Sequence, residues 1–339
     1  MNRLRLKKTK MLDEAVLGHK RQGIVKVSLI FVLVFFIANT VCSMIQSVPL
    51  SIYSFSALFN NEEFHELVAK LEEGALTFEE YTDSATNLII IIVSSLPFWI
   101  TLISLFSTIA IIATSIIYCV KFEKRSISSM GIRKKDIAKE YLLGMGIGSV
   151  MFALSYLFAY LCGAVTISLN EYISPFIILF FLAFVIQGAS EELLVRGYYM
   201  VSLARDTTIP ISIGLSSVLF GLLHIANAGF TFIAFVNIIL MGIFLGIYVF
   251  KRGDIWGACA IHTMWNFVQG NIFGSRVSGI VIEKSVFTTT YNEDLSFISG
   301  GAFGLEGSLC VTLILLVSIL LVLLVGTKKS EISDFEIDE

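Results

Sequence analysis

Glu191 and Glu192 are adjacent carboxylates inside an apolar stretch, Gly188-Ala189-Ser190-Glu191-Glu192-Leu193-Leu194-Val195-Arg196. An ionisable group in hydrocarbon costs several kcal/mol unless it is paired or hydrated, so each of these needs a reason. On a helix Glu192 and Arg196 lie four residues apart and share a face, where pairing lowers the cost of both charges. Glu191 points about 100° further round the helix and is left without that partner. A carboxylate held in an apolar site without a cation is a candidate general base; its bland alternative is a carboxyl kept protonated or paired with another helix.

Two further constellations follow along the chain. Phe220-Gly221-Leu222-Leu223-His224 sets an aromatic ring and an imidazole one turn apart, and His262-Thr263-Met264-Trp265-Asn266 does the same for an imidazole and an amide. A lone histidine in a helix is more often a packing residue than a catalyst. The chain has four histidines, and both of those within apolar segments fall in this half, so the set outweighs its members. A carboxylate and imidazoles in apolar helices are candidate acid–base groups. Glu191, His224 and His262 also offer ligands to zinc, but no His-Glu-x-x-His helix sets two imidazoles on one ion. A metal-free water mechanism is the favoured reading, and a divalent metal such as zinc is the one cofactor left open. The five cysteines, Cys42, Cys119, Cys162, Cys259 and Cys310, sit singly in or beside apolar runs, which predicts buried, unpaired thiols.

The elements that carry these residues are membrane spans. Hydrophobic residues make up 56% of the 339-residue chain and charged residues 15%, so the bulk solvent is lipid and the fold class is an all-α polytopic transmembrane helix bundle. Eight apolar segments approach the length of about 20 residues that a bilayer requires: Val25–Val48, Leu88–Val120, Tyr141–Ile167, Pro175–Leu203, Pro210–Asn227, Phe230–Phe250, Ile255–Phe273 and Leu309–Val325. The second is long enough to tilt or to bend at Pro97. Glu191 and His224 each lie about 14 residues, roughly 21 Å, from the turn joining the fourth and fifth spans, so the two can meet. His262 starts nearer the charged turn at Asp254, and its helix must begin deeper or tilt to join them.

Basic residues fix orientation, because short loops rich in them stay cytoplasmic. The leader (Arg3, Arg5, Lys7, Lys8, Lys10, Lys20, Arg21), the loop with Lys121, Lys124, Arg125, Arg133, Lys134, Lys135 and Lys139, and then Arg205, Lys251, Arg252, Lys328 and Lys329 all fall on one side of an eight-span chain. Both termini are expected there. The leader resembles a signal peptide but runs into an apolar stretch too long for one, so it is expected to remain as an anchor. Net charge is −3 and the charges are segregated along the chain, which gives no basis for a nucleic-acid partner. Phe64, Leu67, Val68 and Leu71 in the acidic stretch 60–83 predict a short amphipathic helix, and the tail 331–339 is expected to be disordered. Gly144 and Gly148 are spaced for close helix packing.

Glu191-Glu192-x-x-x-Arg196, Phe220-x-x-x-His224 and His262-x-x-x-Asn266, in this order on successive spans, resemble the CAAX-protease and bacteriocin-processing family, which includes the Rce1-like prenyl-protein endopeptidases. The resemblance covers about Tyr141 to Gly270. It implies an intramembrane endopeptidase in which Glu191 and His224 activate a water, His262 and Asn266 steady the oxyanion, and Glu192, Arg196 and Phe220 support the site. It divides the chain into a basic cytoplasmic leader (1–24), N-terminal membrane helices with an acidic extracytoplasmic loop at 51–86 (25–140), a catalytic membrane core (141–273) and a last loop, span and acidic tail (274–339). The family points to a bacterial plasma membrane, with the bilayer and a peptide or lipid-anchored protein as partners. Two alternatives keep the same residues: a non-enzymatic scaffold or bacteriocin-immunity protein, and a proton-coupled transporter, which the lack of an internal repeat disfavours.

Overall fold

A computed structural model, describing residues 6, 8–18 and 22–326, gives an all-α bundle. Arg3, Arg5, Lys7, Lys20, Arg21, Lys328, Lys329 and the tail 331–339 lie outside the described residues. A short helix α1 (Lys10–Val16) precedes α2 (Ile24–Phe59), α3 (Glu62–Glu72) and α4 (Phe78–Ser94). Next come α5 (Phe98–Phe122), α6 (Ile137–Leu161), strand β1 (Val165–Leu169), α7 (Ile177–Asp206) and α8 (Ile209–Leu222). The chain continues through α9 (Phe232–Arg252), α10 (Trp256–Phe267), strand β2 (Phe287–Tyr291) and α11 (Leu309–Leu324). Among the described residues five helices, α2, α5, α6, α7 and α9, are long and apolar enough to cross a membrane, and α8 and α11 are shorter apolar helices.

Three boundaries differ from the sequence expectation, each for a local reason. The segment Leu88–Val120 is two helices rather than one bent span. Proline lacks an N–H and pushes the residue before it out of helical geometry, so the chain breaks at Ser95-Leu96-Pro97, and Pro97, in extended geometry, becomes the cap of α5. The first span runs on to Phe59 through Pro49, about 54 Å at 1.5 Å per residue, so its last turns project beyond a hydrocarbon layer about 30 Å thick. The third stops at Leu161, where Gly163 takes a left-handed φ of 69°, and Val165–Leu169 becomes a strand paired antiparallel with β2, Val165 opposite Tyr291 and Leu169 opposite Phe287. The amphipathic stretch in the acidic loop is the helix α3, capped by Asn61, whose side chain accepts from the Phe64 amide. One thiol also departs from expectation: Cys162, just past the end of α6, is exposed, whereas Cys42, Cys119, Cys259 and Cys310 are buried and all five are free.

The basic turns gather at one end of the bundle. The backbone amides of Gln22 and Gly23 donate to the Asp206 carboxylate at 3.1 and 2.8 Å, and Arg133 pairs with Glu14 at 3.3 Å. Arg252 forks onto Glu140, and the Lys251 ammonium donates to the last carbonyls of α11 at Leu323 and Val325. Lysine at a helix C-terminus satisfies carbonyls that have no intrahelical partner.

Small residues bring α6, α7 and α10 into backbone contact, and this packing positions the site. A Cβ on Gly144 would fall onto the Gly257 carbonyl, and one on Gly148 onto the carbonyl of Ile261. A Cβ on Gly188 would meet the Thr263 amide and hydroxyl at 3.0 Å. Interiors packed to crystal-like density leave no slack for those atoms. With glycine at these places, α10 lies in the groove between α6 and α7, one turn from Glu191 and Glu192.

Candidate active site

Glu191 and Glu192 close the regular α-helical part of α7, which continues from Leu193 to Met200 in wider π geometry. Such insertions in membrane and soluble helices cluster where side chains must be re-aimed. The π turn is clamped from outside by Arg125, a fully buried guanidinium that donates to the carbonyls of Gly197 at 2.9 Å and Tyr198 at 3.2 Å. Arg125 also pairs with Glu123 at 3.0 Å and bonds Ser202 at 2.8 Å, so the basic loop and the far turn of α7 form one unit.

Glu192 is the fully buried member of the carboxylate pair. Its Oε1 accepts from Arg196 at 2.9 Å and from His262 Nδ1 at 2.8 Å, linking α7 to α10. Because an ionised carboxylate only accepts, His262 Nδ1 carries the proton of that bond. The ring then presents Nε2 to Glu191, whose Oε2 lies 3.6 Å away, too far for a direct hydrogen bond. Arg196 turns its other face to Phe220, 4.5 Å from the ring centroid, a cation–π contact.

Phe220 connects this cluster to α8. The His224 ring meets it edge-on with centroids 4.7 Å apart, and His224 Nδ1 bonds the Phe220 carbonyl at 2.8 Å. That carbonyl belongs to the last turn of α8, where the backbone runs out of intrahelical donors, so the imidazole acts as a C-terminal cap. A carbonyl oxygen can only accept, so Nδ1 is again the protonated nitrogen and Nε2 is left to the cavity. His224 therefore sits in the turn after α8, whereas the sequence placed it inside a span reaching Asn227.

Glu191 is the partly exposed carboxylate. Its Oε1 accepts from Gln187 Nε2 at 2.6 Å, and Gln187 Oε1 accepts from Asn266 Nδ2 at 2.9 Å. One amide thus holds both the carboxylate and the asparagine. Glu191, His224, His262 and Asn266 line a single cavity of about 410 Å³ whose walls are mostly aliphatic and aromatic side chains from α2, α5, α8, α9 and α11. The start of α10 explains how His262 reaches it: Asp254 and Ile255 are buried, and the Ile255 amide donates to Gly131 of the basic loop at 3.1 Å, so the helix begins inside the bundle.

Gln187 and Glu306 also line the cavity and fall outside the three motifs. Gln187 could have been found, since it stands one helical turn before Glu191 on the same face. Glu306 lies in the loop before α11, more than a hundred residues from the glutamate pair, and has no local signal. Its Oε1 accepts from the Trp265 indole at 3.0 Å and its Oε2 from the Ser278 amide and hydroxyl at 2.6 and 2.8 Å.

Among the described residues no three His, Cys, Asp or Glu side chains converge as a metal-ligand set. His224 and His262 each hold Nδ1 in a hydrogen bond and keep Nε2 free, which is also how a metal-ligating imidazole is oriented, and His262 Nε2 lies 3.6 Å from Glu191 Oε2.

Residues 173–268 match a family model described as type II CAAX prenyl endopeptidase Rce1-like, a stretch that holds all three motifs. No curated protein and no solved structure matches the chain.

Proposed function

From an Rce1-like CAAX-protease domain at residues 173–268, we propose that this membrane protein hydrolyses a peptide bond of a membrane-associated peptide or protein with a water activated by Glu191 and His224. The observation that carries the reading is the convergence of Glu191, His224, His262 and Asn266 on one apolar cavity within the bundle.

Each atom has a role that follows from its neighbours. Gln187 holds Glu191 Oε1, which leaves Oε2 to take a proton from water, and His224, with Nδ1 spent on Phe220, offers Nε2 as a second acceptor to orient that water. The hydroxide attacks the scissile carbonyl, and the carbonyl electrons move onto oxygen. Asn266 donates to that oxygen without titrating. His262 Nδ1 already gives its proton to Glu192, so donation from Nε2 as well takes the doubly protonated ring, whose charge faces Glu191 and Glu192. The tetrahedral intermediate collapses, the C–N bond breaks, and the proton held on Glu191 passes to the leaving amine. Arg196, pinned between Glu192 and Phe220, fixes the geometry. No step runs through a metal ion.

The test is cleavage of a quenched fluorescent peptide library by the purified full chain in detergent. Glu191→Ala and His224→Ala should each lose cleavage by roughly 10²- to 10⁴-fold, the usual reach of general acid–base catalysis, while retaining the wild-type unfolding transition. A zinc chelator should leave the wild-type rate unchanged. Wild-type rates in a folded Glu191→Ala protein would overturn Glu191 as the base, and no cleavage by folded wild type would leave a non-enzymatic scaffold.

A further inference from the structure

The cavity contains a second carboxylate that the hydrolytic roles leave unused. Glu306 lines the same cavity as Glu191, His262 and Asn266, and hydrogen bonds hold it in place. Trp265 reaches it from α10, within the motif that carries His262 and Asn266, and Ser278 reaches it from the loop after α10. Its own backbone is tied down by Asn237 of α9, whose amide donates to the Glu306 carbonyl at 2.7 Å and to the Ser308 carbonyl at 2.8 Å. Asn237 is itself buried and accepts from Thr312 at 2.7 Å, so the turn bearing Glu306 is fixed to two helices.

All the donors to Glu306 are neutral. The indole, the amide and the hydroxyl satisfy its lone pairs but cancel no charge, and among the described residues no lysine, arginine or histidine pairs with it. Glu192 in the same site differs, since it faces Arg196 at 2.9 Å. A partly buried carboxylate oriented by neutral dipoles in a largely apolar cavity attracts a cation, because low-dielectric walls weaken the screening between them. The remaining lining is mostly aliphatic and aromatic, with a few neutral amides and hydroxyls beside the catalytic groups.

Resting on the endopeptidase reading, we propose that Glu306 forms a subsite for a cationic group of the substrate, so that this chain selects peptides bearing a lysine, an arginine or a free terminal ammonium near the cleaved bond. The apolar wall takes the flanking hydrophobic residues, and the ion pair with Glu306 sets the register of the peptide relative to Glu191. Specificity of this kind comes from the charge left unpaired when the wrong residue enters.

The experiment uses the full chain in detergent with ten-residue apolar peptides, quenched and N-acetylated, that carry Lys, Arg, norleucine or Glu at one scanned position; a parallel set has a free N-terminus. Wild type should favour Lys or Arg over norleucine by about tenfold or more in kcat/KM at one position, a modest return for a buried charge pair. The free-amine set alone would show that preference if the terminal ammonium is the group bound. In Glu306→Gln the Lys-to-norleucine ratio should collapse towards one, and in Glu306→Lys it should invert in favour of the Glu peptide. Equal cleavage of Lys, Arg and norleucine peptides by wild type, with free and acetylated termini alike, would overturn the subsite while leaving the protease intact. Binding of the same peptides, made uncleavable by a reduced amide bond and followed by fluorescence anisotropy, separates the two ideas. A Glu306-dependent preference for cationic peptides without any cleavage would uphold the subsite and sink the protease reading. Absence of both would sink both.

Discussion

Residue types and their spacing carried the motif set in this protein, because a charged or hydrogen-bonding group inside a span is costly enough to be conspicuous. Glu192 and Arg196, four apart, do pair, and Phe220 and His224 do touch. What spacing left open was which partner each free atom would find across helices. The link from His262 to Glu192 joins residues 70 apart and that from Gln187 to Asn266 residues 79 apart, so neither could be read along the chain, whereas the contact of Gln187 with Glu191 spans one helical turn. Gln187 is a positioning residue in the proposed mechanism, since it touches the base and the oxyanion donor but no reacting atom. Gln187→Ala should lower kcat by about tenfold or more while KM changes little, because a misaimed base costs transition-state stabilisation rather than ground-state binding. A purely structural role would instead lower the unfolding temperature and leave kcat per folded molecule untouched, so the kcat and KM split measured alongside thermal unfolding decides between them.

Helices were legible by length and hydropathy, but their ends were set by chemistry that hydropathy does not weigh. Leu88–Val120 is predominantly apolar, yet the missing N–H of Pro97 breaks it, and the run Val165–Leu169 is drawn into a strand by a distant partner, Val165 pairing with Tyr291, 126 positions away, across residues that no periodicity connects. Packing between helices was legible where glycines recur, as at Gly144 and Gly148, but not which helix they would receive. Gly148→Ala drives a Cβ into the Ile261 carbonyl, a backbone atom that cannot swing aside, so α10 must move away from α6. Overpacking of this kind costs roughly 1–3 kcal/mol, and thermal unfolding in detergent should fall accordingly, with cleavage falling further as His262 shifts from Glu191. Gly146→Ala is the control, since that position opens onto space and should leave both unchanged. At the other end of the molecule, the capping box of α4 makes a pH prediction. The Thr77 amide and hydroxyl both donate to Glu80 at 2.8 Å, and these bonds hold its carboxyl below the ordinary range. A depressed acid stabilises the fold above its unfolded pKa and loses that contribution as pH falls through the folded value. Amide exchange in the first turn of α4, corrected for intrinsic rate, should therefore accelerate as pH falls below the ordinary glutamate value of about 4.3, and Glu80→Gln should remove the dependence.

For the whole molecule, the charge pattern and the contacts agree on which turns share an end. Asp206 holds the start of α2, Glu14 holds Arg133, Glu140 holds Arg252 and Lys251 holds the end of α11, so the basic loops form one mutually bonded surface. Positive loops are retained in the cytoplasm, and that surface is accordingly the expected inner face. The opposite end then carries the acidic helix α3, the β1–β2 ribbon and Cys162. Of the five thiols Cys162 alone is exposed, just past the last turn of a helix that begins beside the basic loop, which makes it a native reporter of sidedness. A membrane-impermeant maleimide added to intact cells should label the wild-type chain once, and Cys162→Ser should abolish the label. The four buried thiols should react only after denaturation. Labelling of Cys162 only after the cells are permeabilised would invert the topology inferred from the basic loops.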